Sequence, residues 1–154
     1  MVTTREYRAS VIIYKDDLDS LYDFQYGVVN SLITPTADVQ LSNVLDWMST
    51  AAEHIFNIGW AGNALSLLSY MASAREYLSE LVKQTIIQQG TDGTYEIGKV
   101  SFYFDDHPTF DAIQLTMSFL EIVDDANRTV RLIVPTDADV ECERVLVNGT
   151  WLEP

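Results

Sequence analysis

Hydrophobic positions along this chain recur at helical spacing as far as about residue 90 and in alternation after it, so two kinds of structure are expected in order. Before the helical stretch, Tyr7 to Tyr14 is rich in β-branched and aromatic side chains and reads as a strand. Asp16 and Asp17 offer an N-cap, and Asp19 adds negative charge to a first turn. Leu18, Leu21, Tyr22, Val28, Val29 and Leu32 then follow at helical spacing, so a first helix is expected to about Ile33, where Thr34-Pro35-Thr36 ends it.

A second helix, capped by Asp38 or Ser42, carries Leu41, Val44, Leu45, Met48, Ala52, Ile55 and Phe56 on one face. The break Gly59-Trp60-Ala61-Gly62 separates it from a third helix with Ala64, Leu67, Leu68, Met71, Ala74, Tyr77, Leu78, Leu81 and Val82 on one side. That helix is expected to stop near Gln89 and Gly90, glycine being a common C-terminal stop. The short connection makes helices two and three an antiparallel hairpin, with Trp60 as a plug closing it or, as the alternative, an exposed anchor.

Thr91-Asp92-Gly93-Thr94 then reads as a turn, and Tyr95 to Phe104 as a strand with a bulge at Gly98. Asp105-Asp106-His107-Pro108 is a further turn. Ile113, Leu115, Met117 and Phe119 alternate with polar residues in a half-buried strand. Asp124 to Asn127 turns the chain into Thr129–Val134, Val140 to Val147 forms another strand, and Asn148-Gly149 signals a type I′ hairpin before Thr150-Trp151-Leu152. The expected fold class is α+β in one domain spanning residues 1–154. It has an N-terminal strand and three helices (1–90), then a four- to five-stranded antiparallel meander (91–154) packed on the helices.

Composition adds one strong signal. Among 154 residues, 23 are acidic and 9 basic, a net charge of −14. A field of that sign repels nucleic acid and anionic membranes and attracts basic protein surfaces. The hydrophobic fraction of 47% is enough for a core and argues against disorder. Cys142 has no second cysteine to pair with, which fits a reducing compartment. The first residues lack the apolar stretch of a signal peptide, so a cytoplasmic location, or the cytoplasm of a host cell, is expected.

The segment Asp137-Ala138-Asp139-Val140-Glu141-Cys142-Glu143 is the most unusual local feature. Extended, it would put Asp137, Asp139, Glu141 and Glu143 on one face and turn Ala138, Val140 and Cys142 inward. A line of carboxylates suits docking on a Lys/Arg-rich protein, and its spacing resembles that of phosphates along a nucleic-acid strand. Asp105, Asp106, Asp124 and Asp125 are expected to join it on one partner-binding surface.

Other chemistry is thinly signalled. Asp105-Asp106-His107 lacks the spacing of a calcium loop, His54 and His107 have no patterned partner, and Cys142 has little to lower its pKa. No nucleophile elbow, phosphate-binding loop, dinucleotide fingerprint or zinc-protease motif is present. The tyrosines fall mostly at phases read as core-facing. No catalytic residue, metal or cofactor is therefore expected.

The leading expectation is a non-enzymatic acidic interaction protein that inhibits a nucleic-acid-binding machine, such as a nuclease, by occupying its basic site. Small acidic proteins of phages and mobile elements that block host defences provide the analogy. Two alternatives remain: an oligomeric assembly protein joined through a sheet edge or the helical hairpin, and an enzyme or small-ligand binder with a pocket near His54 and His107.

Overall fold

The computed structural model describes residues 3–33, 55–56, 79–123, 127, 129–136 and 141–154. Strand β1 (Thr3–Tyr14) leads through a 3-10 turn, Lys15–Asp17, into helix α1 (Leu18–Ile33). Helix α2 (Glu80–Asp106) precedes β2 (Ala112–Val123), β3 (Thr129–Val134), β4 (Cys142–Val147) and β5 (Thr150–Leu152). The fold is mixed helix and antiparallel sheet, as the change of hydrophobic period implies. Asp16 and Asp17 lie within the 3-10 turn rather than capping α1 from outside. The second expected helix, the Trp60 break and most of the third helix fall outside the described residues, although Ile55 and Phe56 are helical and buried.

The largest correction concerns residues 91–104. Two helices, not three, are long elements among the described residues, and the second does not stop at Gly90. Ser79, in extended conformation, caps a new helix by accepting from the Val82 N–H at 3.3 Å. That helix then runs unbroken for 27 residues through the expected turn at Thr91–Thr94 and the expected strand at Tyr95–Phe104. No bulge forms at Gly98, and strands begin only at Ala112.

The reason lies in the packing. Ile86, Gly90, Gly93, Ile97, Val100 and Phe104 are buried at spacings of three and four, a single helical stripe in which two glycines stand where larger residues would collide. A Cβ on Gly93 would lie 1.7 Å from the Ile133 carbonyl oxygen, and one on Gly90 would lie 2.5 Å from a Val29 methyl. These glycines serve close approach rather than termination.

In the sheet, β2 is central. β1 pairs with it along its full length, from Thr3↔Val123 to Tyr14↔Ala112. The opposite side of β2 is shared end to end, with β4 opposite Ala112–Leu115 and β3 opposite Ser118–Val123. The order β1-β2-β4-β5 with β3 on β2 corrects the simple meander, because β4 returns to β2 instead of pairing with β3. Two hairpins do form. In β4–β5, Asn148 and Gly149 take φ of 49° and 78°, as a type I′ turn requires.

Helix α2 runs past the outer edge of β3. Gln89 Nε2 donates to Glu6 Oε1 at 3.0 Å, on the face of the β1–β2 pair that also carries Leu120. Near the other end, Tyr103 donates to the sulfur of Cys142, which stands opposite Leu115 on the reverse face. Along β2 the buried set changes face accordingly, from Ile113, Leu115, Met117 and Phe119 to Leu120 and Ile122.

Where α2 passes β3, α1 supplies Gln25, which is fully buried. Its Nε2 donates to the carbonyls of Ile133 (2.7 Å) and Gly90 (2.9 Å), and its Oε1 accepts from the Ile133 N–H (2.7 Å). The side-chain amide thus substitutes for the next strand's peptide group and leaves the Ile133 backbone satisfied.

Candidate functional site

Of the expected acidic row, Glu141 and Glu143 are among the described residues, whereas Asp137 and Asp139 lie outside them. The register between β2 and β4 shifts at Gln114/Leu115, where Arg144 faces Gln114 and Cys142 faces Leu115. Glu143 is therefore an extra, bulged residue, and strict alternation does not hold there. Its carboxylate accepts from Thr116 Oγ1 at 2.6 Å and Ser10 Oγ at 2.9 Å, and these bonds hold its pKa below the usual value. The bulge also places Arg144 on that polar face, where its Nε donates to Gln114 at 2.9 Å and its guanidinium lies 5.2 Å from the Trp151 ring centre. Glu141 is exposed just ahead of β4.

Cys142 packs against the core as expected. Burial pushes its thiol pKa up, and burial together with the bond to its sulfur raises the Tyr103 hydroxyl to about 12. Both groups hold their protons and neither is primed as a nucleophile.

Asp105 and Asp106 are exposed on the last turn of α2, which has no basic residue. Asp124 and Asp125 lie outside the described residues. Of the eight expected residues, the described ones are Asp105 and Asp106 at the end of α2 and Glu141 and Glu143 at the start of β4, two segments that meet where Tyr103 donates to Cys142. His54 is outside the described residues. His107 stacks on Phe110 at 4.7 Å, with Nδ1 2.9 Å from the Tyr103 carbonyl, in a structural turn after α2.

A different surface emerges where the two helices meet. On α1, Asp19, Tyr22, Asp23, Tyr26 and Asn30 lie on one exposed face. On α2, Thr91, Tyr95, Phe102 and Asp105 continue it, with Tyr95 and Phe102 each 69% exposed. Tyr22 and Tyr26 stack with ring centres 6.1 Å apart. Between the helices lies a groove of about 320 Å³ lined by Tyr22, Tyr26, Asn30, Thr91, Tyr95 and Gly98. Gly98, where a Cβ would meet nothing within 4 Å, leaves its floor open.

The core reading of these tyrosines is corrected here. A signal for their exposure was present, because Tyr22 and Tyr26 share a helical stripe with Asp19 and Asp23, whereas Leu18, Leu21, Val28 and Val29 form the buried one.

Charge is distributed unevenly between the two regions. Several basic side chains are engaged within the chain. Arg5 and Arg131 contact Glu121, Lys83 contacts Glu80, Lys99 contacts Glu96, and Arg144 contacts Gln114. Among the described residues, Asp19, Asp23, Asp105 and Asp106 take part in no ion pair, so negative charge on the helices is uncompensated. Among those residues, too, no group of three or more His, Cys, Asp or Glu could hold a metal ion, and no helix is long and apolar enough to cross a membrane.

No family model matches this chain, no curated protein is similar to it, and no solved structure matches its fold.

Proposed function

We propose that this protein is a non-enzymatic interaction module that docks its acidic surface on a basic protein site, the nucleic-acid-binding face of a nuclease or similar machine being the best fit. The observation that carries this reading is the outward face of α1 and α2, where exposed aromatic rings stand among unpaired carboxylates. Tyrosine and phenylalanine supply large contact areas at low entropic cost, and aromatic residues are enriched where proteins bind tightly. Carboxylates around them steer a basic partner and reject other acidic surfaces.

Asp105 and Asp106 support the reading through their cost. Acidic groups at a helix C-terminus oppose the helix dipole, worth about 0.3–1 kcal/mol each. Charge kept where it weakens the fold suits a use outside the fold. The acidic residues around β4, Asp137, Asp139, Glu141 and Glu143, extend the negative field in this reading, with Glu143 the least available because two hydroxyls already hold it.

Capture of partners from lysate of the source or host cell, at low and high salt, tests the proposal. A nucleic-acid-binding protein should be retained at low salt and released by salt or added DNA. Asp105→Lys with Asp106→Lys, or Tyr95→Ala with Phe102→Ala, should cut that capture at least tenfold and leave the far-ultraviolet circular dichroism unchanged. Capture that survives both pairs of substitutions would refute the assignment of this surface.

A further inference from the structure

β1 is the outermost strand on its side of the sheet, and among the described residues nothing pairs with its outer edge. Backbone groups of a strand point alternately to either side, so over these 12 residues half of the N–H and C=O groups face away from β2. Thr3 to Glu6, Arg8, Ser10, Ile12 and Tyr14 are all exposed. A long edge of this kind is a template for another strand.

We propose that this edge pairs antiparallel with β1 of a second copy of the chain, about a two-fold axis through Tyr7, to give one sheet with five strands from each copy. The choice of axis follows from the sequence of β1. Side chains that face each other across such a pair must lie on the same side of the sheet, so the axis passes through a residue. With Tyr7 on the axis, Glu6 faces the partner's Arg8 and Arg8 faces the partner's Glu6, two opposite-charge pairs from one operation. An axis through Glu6 or Arg8 sets that residue against its own copy, and like charges directly opposite are destabilising. An axis through Ala9 sets Glu6 against Ile12.

A second observation, on another element, fits the same register. At the start of α2, Leu81 is 80% exposed and Val82 39% exposed, beside a groove of about 500 Å³ that Thr4 and Glu6 also line. Ile12 and Tyr14 are exposed apolar residues on the same face of the sheet as Thr4 and Glu6. In the Tyr7 register the partner's Ser10 faces Thr4, and the partner's Ile12 comes next along the strand, toward Leu81 and Val82. One two-fold operation covers both exposed apolar pairs and satisfies the open backbone edge.

The test is sedimentation velocity of the full chain over a concentration series, with Arg8→Glu, Glu6→Arg and the double variant. Both positions are exposed, and circular dichroism verifies that each variant folds. Expected is a monomer–dimer equilibrium for the wild type, about tenfold weaker dimerisation in each single variant, and recovery in the charge-swapped double variant. A chain that stays monomeric across the series overturns the proposal and leaves the edge to an extended segment of another protein. A dimer whose single variants are unaffected, or whose double variant is no better than either, overturns the Tyr7 register.

Discussion

The sheet has two long outer edges that are treated in opposite ways. At β3 the edge is sealed, because α2 runs against it at Gly93 and Gln25 bonds both backbone groups of Ile133. At β1 the edge carries exposed side chains and, among the described residues, meets no other strand or helix along its outer side. The contrast teaches that this fold spends a buried amide and a helix-weakening glycine on closing one edge while, among the described residues, a longer one stays open. An unprotected strand edge is a hazard that proteins manage, so a long open edge is where an interaction is to be sought. The same division runs through the charges, since Arg5, Arg131 and Arg144 of the sheet are engaged by neighbours, whereas Arg8 on the open strand and the carboxylates of the helical face take part in no ion pair among the described residues.

The sharpest way to break the sealed edge is Gly93→Ala. The new methyl would sit 1.7 Å from a backbone oxygen and 2.6 Å from the Gln25 amide nitrogen, so α2 must move away and lose those bonds. A loss of about 4 kcal/mol is expected in urea unfolding, combining overpacking with unsatisfied polar groups. Gly98→Ala in the same helix is the control: its Cβ has open space, so it should stabilise by up to ~1 kcal/mol.

Gln25→Leu comes next. It keeps the volume but strands the N–H and the carbonyl of Ile133, the Gly90 carbonyl keeping its place in the helix ladder, and it should cost about 3 kcal/mol. It should also create a second open edge, seen as aggregation by light scattering during refolding.

The smallest effect concerns how β1 is tied to the rest. Glu143 on β4 binds Ser10 on β1 and Thr116 on β2, and its pKa is lowered by those bonds. A carboxyl with a depressed folded-state pKa stabilises fully above its unfolded value and loses that contribution as pH falls through the folded value. Urea midpoints measured downward through the acid range should therefore fall less in Glu143→Gln than in the wild type.

Much of the sheet was legible from the chain. Alternation at Ile113 to Phe119 located β2, Thr129–Val134 coincides with β3, and Asn148-Gly149 marked its hairpin because few residues tolerate two successive positive φ angles. The region from Gly90 to Phe104 was misread because local glycine chemistry and tertiary packing point opposite ways. Gly90 and Gly93 resemble a helix stop and a turn unless they are counted as members of the stripe Ile86, Gly90, Gly93, Ile97, Val100, Phe104. What requires glycine at position 93 is Ile133, forty residues further on, and at position 90 it is Val29 on α1, and no local window contains either.

The site was less legible for a related reason. Alternation predicted four aligned carboxylates ending at Glu143, but the bulge opposite Gln114/Leu115 depends on a register that only the folded sheet defines. The aromatic surface depends on which face α1 and α2 turn toward each other, which needs both helices in place.

Amide hydrogen exchange read along both edges in one sample, at a concentration low enough to keep the chain monomeric, tests the central claim most directly. The account predicts that the Ile133 amide exchanges as slowly as amides of β2, held by Gln25, while every second amide of β1 exchanges fast. Fast exchange at Ile133, or slow exchange at every amide of β1 under those conditions, would contradict it.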